Sequence, residues 1–129
     1  MLLVEDDPVY RNSLERLLRH DGHEVLSAKD GNEALELLSN DLLLAPWVIV
    51  TDLKMPGRDG SELIQSLRQS ADWKRIPIVV MTGLAPSNRP EVSAEVLLVK
   101  PVTHLKLHET LCELAPKYGQ PVPRAPSPR

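Results

Sequence analysis

The sequence is poor in aromatic residues and has a single cysteine. Phe is absent and aromatics make up 3% of 129 residues, so we expect a core of Leu, Val and Ile. One cysteine, Cys112, excludes an internal disulfide and favours a reducing, cytoplasmic location. No apolar run approaches the roughly 18 residues of a membrane span, so we expect no membrane association. The net charge of −3 argues against direct DNA binding.

Short apolar runs alternate with amphipathic segments along the chain. The runs predict strands over residues 1–4, 23–28, 47–52, 76–82 and 96–100, and the amphipathic stripes predict helices after the first three and the last of them. Strands that are apolar throughout and alternate with helices indicate an α/β fold. Its parallel sheet is covered on both faces and, with right-handed crossovers, is doubly wound.

Two segments depart from this alternation. A helix would be expected between the fourth and fifth strands, but Pro86 and Pro90 each remove a backbone donor there, so we predict a short helical turn or an irregular loop. Residues 116–129 contain five prolines among basic residues. They predict an extended Pro-rich basic tail or linker after a domain of residues 1–115.

Chemically active side chains follow four of the predicted strands. They are Glu5, Asp6, Asp52, Thr82 and Lys100. Because the carboxyl ends of parallel strands meet at one edge of a sheet, these side chains are expected to converge. Two carboxylates about 4 Å apart repel by roughly 4 kcal/mol at an effective dielectric near 20. A hard cation such as Mg²⁺ relieves that repulsion, and the set suits phosphoryl transfer onto a carboxylate.

At these positions the chain resembles the receiver domain of two-component response regulators. The matching motifs are Leu3-Val4-Glu5-Asp6-Asp7, the segment from Asp52 to Gly60, Met81-Thr82-Gly83 and Val99-Lys100-Pro101. The resemblance spans residues 1 to about 115. It implies a flavodoxin-like, five-stranded parallel sheet in the order 2-1-3-4-5, with the fourth helix shortened or irregular here.

The resemblance also implies roles for the site residues. Asp52 looks like the phosphoacceptor, which takes a phosphoryl group from a histidine kinase or histidine phosphotransfer protein. Asp6 and Asp52 would bind Mg²⁺ directly with the main-chain carbonyl of Lys54, while Glu5 would hold a metal-bound water. Lys100 would pair with the acyl phosphate and precede a cis proline.

The switch positions differ in part from the family pattern. The resemblance implies that Thr82 swings toward the phosphoryl group and moves its loop, which changes the surface offered to an unknown output protein. Leu97 stands where the family usually has an aromatic residue, so we expect a remodelled output face and no family-type dimer. The resemblance also implies that Lys54 and Leu84 stand at the two positions that tune the lifetime of the acyl phosphate, and an apolar Leu84 there predicts slow autodephosphorylation.

Two other functions are compatible with the sequence. An aspartate-nucleophile phosphatase would need a second acid two residues after Asp52, where Lys54 stands. A phosphorylation-independent interaction module would not need the full set of site residues. We therefore favour a signalling switch over a turnover enzyme.

The remaining candidate ligands are assigned ordinary roles. His104 and His108 are four apart on a helix, a spacing that can bind metal, but such pairs are usually solvated. His20 and His23 flank an Asp-Gly turn and are treated in the same way. Cys112 is expected to be a small packing residue.

Overall fold

The structure is a computed structural model, and it describes residues 1–40, 42–43, 45–54, 59–85, 87 and 91–123. Four residues of the family-like segment after Asp52, 55–58, lie outside these ranges. So do Pro86, Pro90 and the last six residues of the predicted tail. Within the described residues, no helix is long and apolar enough to cross a membrane.

Five parallel strands form one sheet in the order β2-β1-β3-β4-β5, which confirms the predicted doubly wound fold. The strands are β1 Leu2–Val4, β2 Leu26–Ala28, β3 Ile49–Asp52, β4 Ile78–Thr82 and β5 Val96–Val99. The helices are α1 Pro8–His20, α2 Gly31–Leu38, α3 Gly60–Gln69 and α4 His104–Leu114, followed by a 3₁₀ helix, Ala115–Tyr118.

Local sequence explains where the helices begin. Asp7 accepts hydrogen bonds from the backbone N–H groups of Val9 and Tyr10, and Pro8 occupies the first turn of α1. Asp30, Asp59 and Thr103 cap α2, α3 and α4 in the same manner. Each cap is the last residue of a loop that leaves the carboxyl edge of the sheet, so the caps also set how the helices leave that edge.

The core lies in two layers, one on each face of the sheet. Helices α1 and α4 cover one face, where Leu14, Leu18, Leu107 and Leu111 are buried. Helices α2 and α3 cover the other, where their apolar side chains pack on alternate residues of β1, β3 and β4. β3 and β4 are buried at every residue, as expected for central strands of a doubly covered sheet.

Among the described residues, the connection from β4 to β5 contains no α-helix, which agrees with the predicted shortening. Arg68 at the end of α3 holds this segment. Its guanidinium donates to the backbone carbonyl of Ser93 and pairs with the carboxylate of Glu95 at 2.8 Å. Glu95 in turn accepts from the N–H of Ile78. Residues 91–94 are irregular rather than helical.

The strands are shorter than the apolar runs that predicted them. β2 was expected over residues 23–28 and β3 over 47–52, yet pairing begins at Leu26 and at Ile49. The first residues of the predicted tail also differ from the extended form expected. Residues 116–118 belong to the 3₁₀ helix, whose first residue, Ala115, is fully buried.

Candidate functional site

Asp52 is the last residue of β3 and lies at the carboxyl edge of the sheet. Its neighbours in the register are Met81 of β4 on one side and the end of β1 on the other. The residue is only 8% exposed, so its carboxylate is largely removed from solvent. One carboxylate oxygen accepts from the backbone N–H of Lys54 at 3.3 Å.

Glu5 and Asp6 bring two more carboxylates to Asp52. One oxygen of each of the three residues lies within 4.8 Å of the others, the only such group of potential metal ligands in the described part of the chain. Glu5 is 1% exposed, while Asp6 is exposed. Burial raises the pKa of Glu5, and the neighbouring acids add to the rise while Lys100 opposes it. The set offers hard oxygen donors that face one another.

Lys100 is the cation of the site. Its Nζ donates to Asp52 Oδ2 at 2.7 Å and to Glu5 Oε1 at 2.8 Å. Burial alone would lower the pKa of this ammonium, but the hydrogen bonds to the two acids raise it above its usual value. Lys100 is therefore positively charged at neutral pH. The Lys100–Pro101 peptide is cis, as the family resemblance implied.

Thr82 is the last residue of β4, which pairs with β3 on the side opposite to β1. The residue is fully buried, and its hydroxyl oxygen accepts from the N–H of Leu84 at 3.0 Å. Its carbonyl accepts from the N–H of Lys100 at 2.7 Å, which ties the ends of β4 and β5 together. The hydroxyl is thus attached to the start of the loop that follows it.

Gly60, the first residue of α3, lies directly against the backbone of Asp52 and Leu53. Its N–H donates to the carbonyl of Leu53 at 2.9 Å. A Cβ at this position would overlap the carbonyl oxygen of Asp52 and lie 2.8 Å from the Leu53 Cα. Only a residue without a side chain permits this approach, so Gly60 sets how α3 packs behind Asp52.

Two residues beside the site were not singled out from the sequence. The ring of Tyr10 has the Lys100 Nζ 5.1 Å from its centroid, and its hydroxyl donates to the carbonyl of Val102. Arg11 donates to the carbonyl of Glu5 at 2.9 Å. Both lie in the first turn of α1, next to the acidic motif. Their closeness in the sequence to Glu5 and Asp6 could have marked them as site residues. It does not show which side chains of the first helical turn face the sheet.

The fold and this site define a class: a doubly wound α/β domain with three acids, a lysine and a threonine at the carboxyl ends of its strands. The model of the response regulator receiver domain family matches residues 1–112. The chain belongs to that family, whose members are signalling switches of two-component systems. Receiver domains interact with histidine kinases and with output domains.

Curated relatives and solved structures agree with this assignment. Two-component response regulator ORR3 of Oryza sativa subsp. japonica is 37% identical over 106 residues, which cover 79% of each chain. ORR6 of the same subspecies is 36% identical, and the match covers 79% of this chain and 62% of ORR6. Response regulator MprA of Mycolicibacterium vanbaalenii is 42% identical over 83 residues, 64% of this chain but only 34% of MprA.

The fold of the chain is shared with solved receiver structures. Chemotaxis response regulator CheY4 of Vibrio cholerae superposes with a TM-score of 0.77 at 32% identity, covering 88% of this chain and 95% of CheY4. The receiver domain of sensor histidine kinase PA1611 of Pseudomonas aeruginosa PAO1, solved with a magnesium ion in its active-site cleft, gives 0.76 at 27% identity. That match covers 87% of this chain and 93% of the PA1611 domain.

Proposed function

We propose that this chain is a phosphoryl-accepting switch in which Asp52 takes a phosphoryl group from a phosphohistidine donor. The donor is a histidine kinase or a histidine phosphotransfer protein. One observation supports this most strongly: a nearly buried carboxylate at a strand end is paired with Lys100 at 2.7 Å and grouped with two further acids. Three acids around one lysine are poor for stability, and they suit a site that receives a phosphoryl group.

The transfer breaks a P–N bond and forms a P–O bond. An oxygen of the Asp52 carboxylate attacks phosphorus, and the histidine leaves with the electron pair of the P–N bond and is protonated. The product is an acyl phosphate. Lys100, held as a cation beside Asp52, neutralises part of the added charge. Thr82, at the adjacent strand end, has a hydroxyl proton to donate to a phosphoryl oxygen.

The acidic group fits Mg²⁺, because all three potential ligands are carboxylates and Mg²⁺ prefers oxygen donors. Asp6 and Asp52 would hold the ion directly with the main-chain carbonyl of Lys54, and Glu5 would hold one of its waters. When bound, the ion supplies positive charge opposite the phosphoryl oxygens. Two similar proteins were solved with magnesium, the receiver domain of PA1611 and TrrA from Thermotoga maritima, the latter in complex with Mg²⁺ and BeF. These structures support the proposal that Mg²⁺ binds here.

The output would begin at Thr82. Its hydroxyl oxygen now accepts from the N–H of Leu84, so turning it toward a phosphoryl group gives up that hydrogen bond at the start of the following loop. This loop leads to the segment that Arg68 holds and then to β5, where Leu97 and Val99 are 38% and 56% exposed. The described part of the connection before β5 contains no α-helix, and the exposure of these two residues supports the proposal that the output face differs from the family's usual one.

We also keep the proposed division of the chain into a receiver domain, residues 1–115, and a tail or linker, residues 116–129. A cytoplasmic location follows from the function proposed and from the single cysteine. The chain needs no turnover activity in this role.

Phosphoramidate, a small donor with a P–N bond, tests the proposal when it is supplied with Mg²⁺. We expect intact-mass spectrometry to show one added phosphoryl group on wild type and none on Asp52→Asn. Asp59→Asn is the matched control, because Asp59 caps α3 and lies outside the acidic group. It should be phosphorylated like wild type. Equal phosphorylation of Asp52→Asn and wild type would refute the proposal.

A further inference from the structure

Three side chains of types that can bind metal ions lie near one another at the opposite edge of the sheet from Asp52. His23 precedes β2, and its Nε2 shares a hydrogen bond of 2.8 Å with His108 Nδ1 of α4. Cys112, one turn further along α4, has its Sγ 3.5 Å from His108 Nε2 and 3.8 Å from His108 Nδ1. The two imidazole rings are edge to face, with centroids 5.0 Å apart. None of these groups contributes to the proposed phosphoryl transfer.

This cluster corrects two expectations drawn from the sequence. His23 was treated as a solvated residue at a turn, yet it is 6% exposed. His108, like His104, was expected to be a solvated residue of the last helix, yet its ring contacts His23 and Cys112. The contact between α1 and α4 on the same face of the sheet brings the three residues together. The two histidines are 85 positions apart in the sequence, so the sequence alone does not reveal the cluster.

We propose that His23, His108 and Cys112 form a binding site for a borderline transition-metal ion of the Zn²⁺ class. Two imidazole nitrogens and a thiolate are a ligand set that Zn²⁺ binds in proteins. The ion would join the turn between α1 and β2 to the second half of α4. It would therefore tie the C-terminal end of α1 to the C-terminal end of α4.

Two of the three separations between the side chains are close to those of a tetrahedral site. Zn–N and Zn–S bonds of about 2.0 and 2.3 Å place two nitrogens about 3.3 Å apart, and a nitrogen and a sulfur about 3.6 Å apart. The corresponding separations here are 2.8 Å for the histidines and 3.8 Å from His108 Nδ1 to Cys112 Sγ. His23 and Cys112 lie farther from each other than a tetrahedron needs, so half-buried Cys112 must turn toward His23.

The charged groups around the cluster favour binding of a cation. Burial, with a smaller effect of His108, lowers the pKa of His23 to about 4, so the ring is in its metal-binding form at pH 7. Asp21 is the acidic neighbour that acts on both His23 and Cys112, and its Oδ2 is buried with no partner among the described residues. A positive ion nearby would offset that charge. Binding would release the thiol proton of Cys112, because the thiolate is the ligand.

Titration with Co²⁺ as a spectroscopic substitute for Zn²⁺ tests the site. The full chain is kept reduced, and excess Mg²⁺ occupies the acidic group at Asp52. We expect one equivalent of Co²⁺ to produce a thiolate-to-cobalt charge-transfer band, which carboxylates cannot give, and one equivalent of Zn²⁺ to remove it. Cys112→Ser should abolish the band.

His108→Asn should weaken Zn²⁺ binding by more than about tenfold, the smallest loss typical even of a residue that only supports a metal ligand. His104→Asn is the control, since it changes a histidine of the same helix outside the cluster. It should bind like wild type. Thermal melts without metal verify that each variant folds, and Zn²⁺ should raise the melting temperature of wild type but not of Cys112→Ser.

Three results would overturn the proposal. The first is that wild type gives no charge-transfer band with Co²⁺. The second is that His108→Asn binds Zn²⁺ with unchanged affinity. The third is that His104→Asn loses as much Zn²⁺ affinity as His108→Asn. The last result would assign the metal to the helical pair His104 and His108 instead.

Discussion

Replacing Gly60 by Ala tests how α3 is packed behind the phosphoacceptor. The new Cβ would overlap the carbonyl oxygen of Asp52 and lie 2.8 Å from both its carbonyl carbon and the Leu53 Cα. All three are backbone atoms, so no side chain can rotate away. Either the first turn of α3 or the end of β3 must move, and the 2.9 Å hydrogen bond from the Gly60 N–H to Leu53 would lengthen.

The cost can be estimated from known effects. Overpacking in a well-packed core costs typically about 1–3 kcal/mol, and a clash with backbone on all sides belongs at the upper end. Alanine's better helix propensity returns at most about 1 kcal/mol. We therefore expect Gly60→Ala to lose about 2 kcal/mol of unfolding free energy, measured by urea denaturation. In a domain of this size that loss lowers the melting temperature by roughly 8 °C.

Gly83→Ala is the matched control. Its Cβ would meet only the Lys100 Cβ, at 3.9 Å, which is an ordinary contact, and Gly83 does not adopt a positive φ. We expect a change within about 0.5 kcal/mol. Equal stabilities of Gly60→Ala and Gly83→Ala would refute the reasoning. Because Asp52 shares the displaced backbone, Gly60→Ala should also slow phosphorylation by phosphoramidate.

Three further predictions concern charge and water at single residues. Lys100→Met leaves buried Glu5 and Asp52 without their cation, so urea unfolding should show a loss of about 2–3 kcal/mol that Mg²⁺ partly restores; no loss would contradict the ion pairing. Leu84→Glu should speed the decay of the phosphorylated protein, followed by intact mass, since a carboxylate can orient the attacking water that Leu84 obstructs; an unchanged decay rate would remove that role. His23 binds its proton more weakly when folded than unfolded, because burial lowers its pKa to about 4. Stability in chelator should therefore be full above pH 6.5 and fall by about 3 kcal/mol as the pH drops to 4, and a slope that persists in His23→Gln would assign the loss elsewhere.

Much of the fold could be predicted because its signals are local. α1 spans Pro8–His20, and the local sequence marks both limits, with Asp7 and Pro8 at its start and Asp21-Gly22 at its end. The strand starts were not predictable in the same way, because the apolar runs begin before the residues at which strand pairing begins. The acids at the strand ends were predictable for a topological reason: a parallel sheet brings its carboxyl ends together whatever the loops do.

Contacts that depend on how helices pack were not predictable. Nothing in the sequence near His23 shows that α4 will place His108 2.8 Å away. The same holds for Arg68, whose reach to Glu95 across 27 residues depends on the path of the segment after β4. Pro86 and Pro90 predicted a short helical turn or an irregular loop in this segment, but not that Arg68 would hold its described residues in place.

The central claim is that Asp52 forms the acyl phosphate. Reduction of the phosphorylated protein with borohydride converts a phosphorylated aspartate into homoserine, and peptide mass spectrometry then locates the change. The account predicts conversion at Asp52, dependent on Mg²⁺ and on the phosphoryl donor, with Asp6 and Asp59 unchanged. Conversion at another acid, or none at Asp52 in a protein that has gained a phosphoryl group, would contradict it.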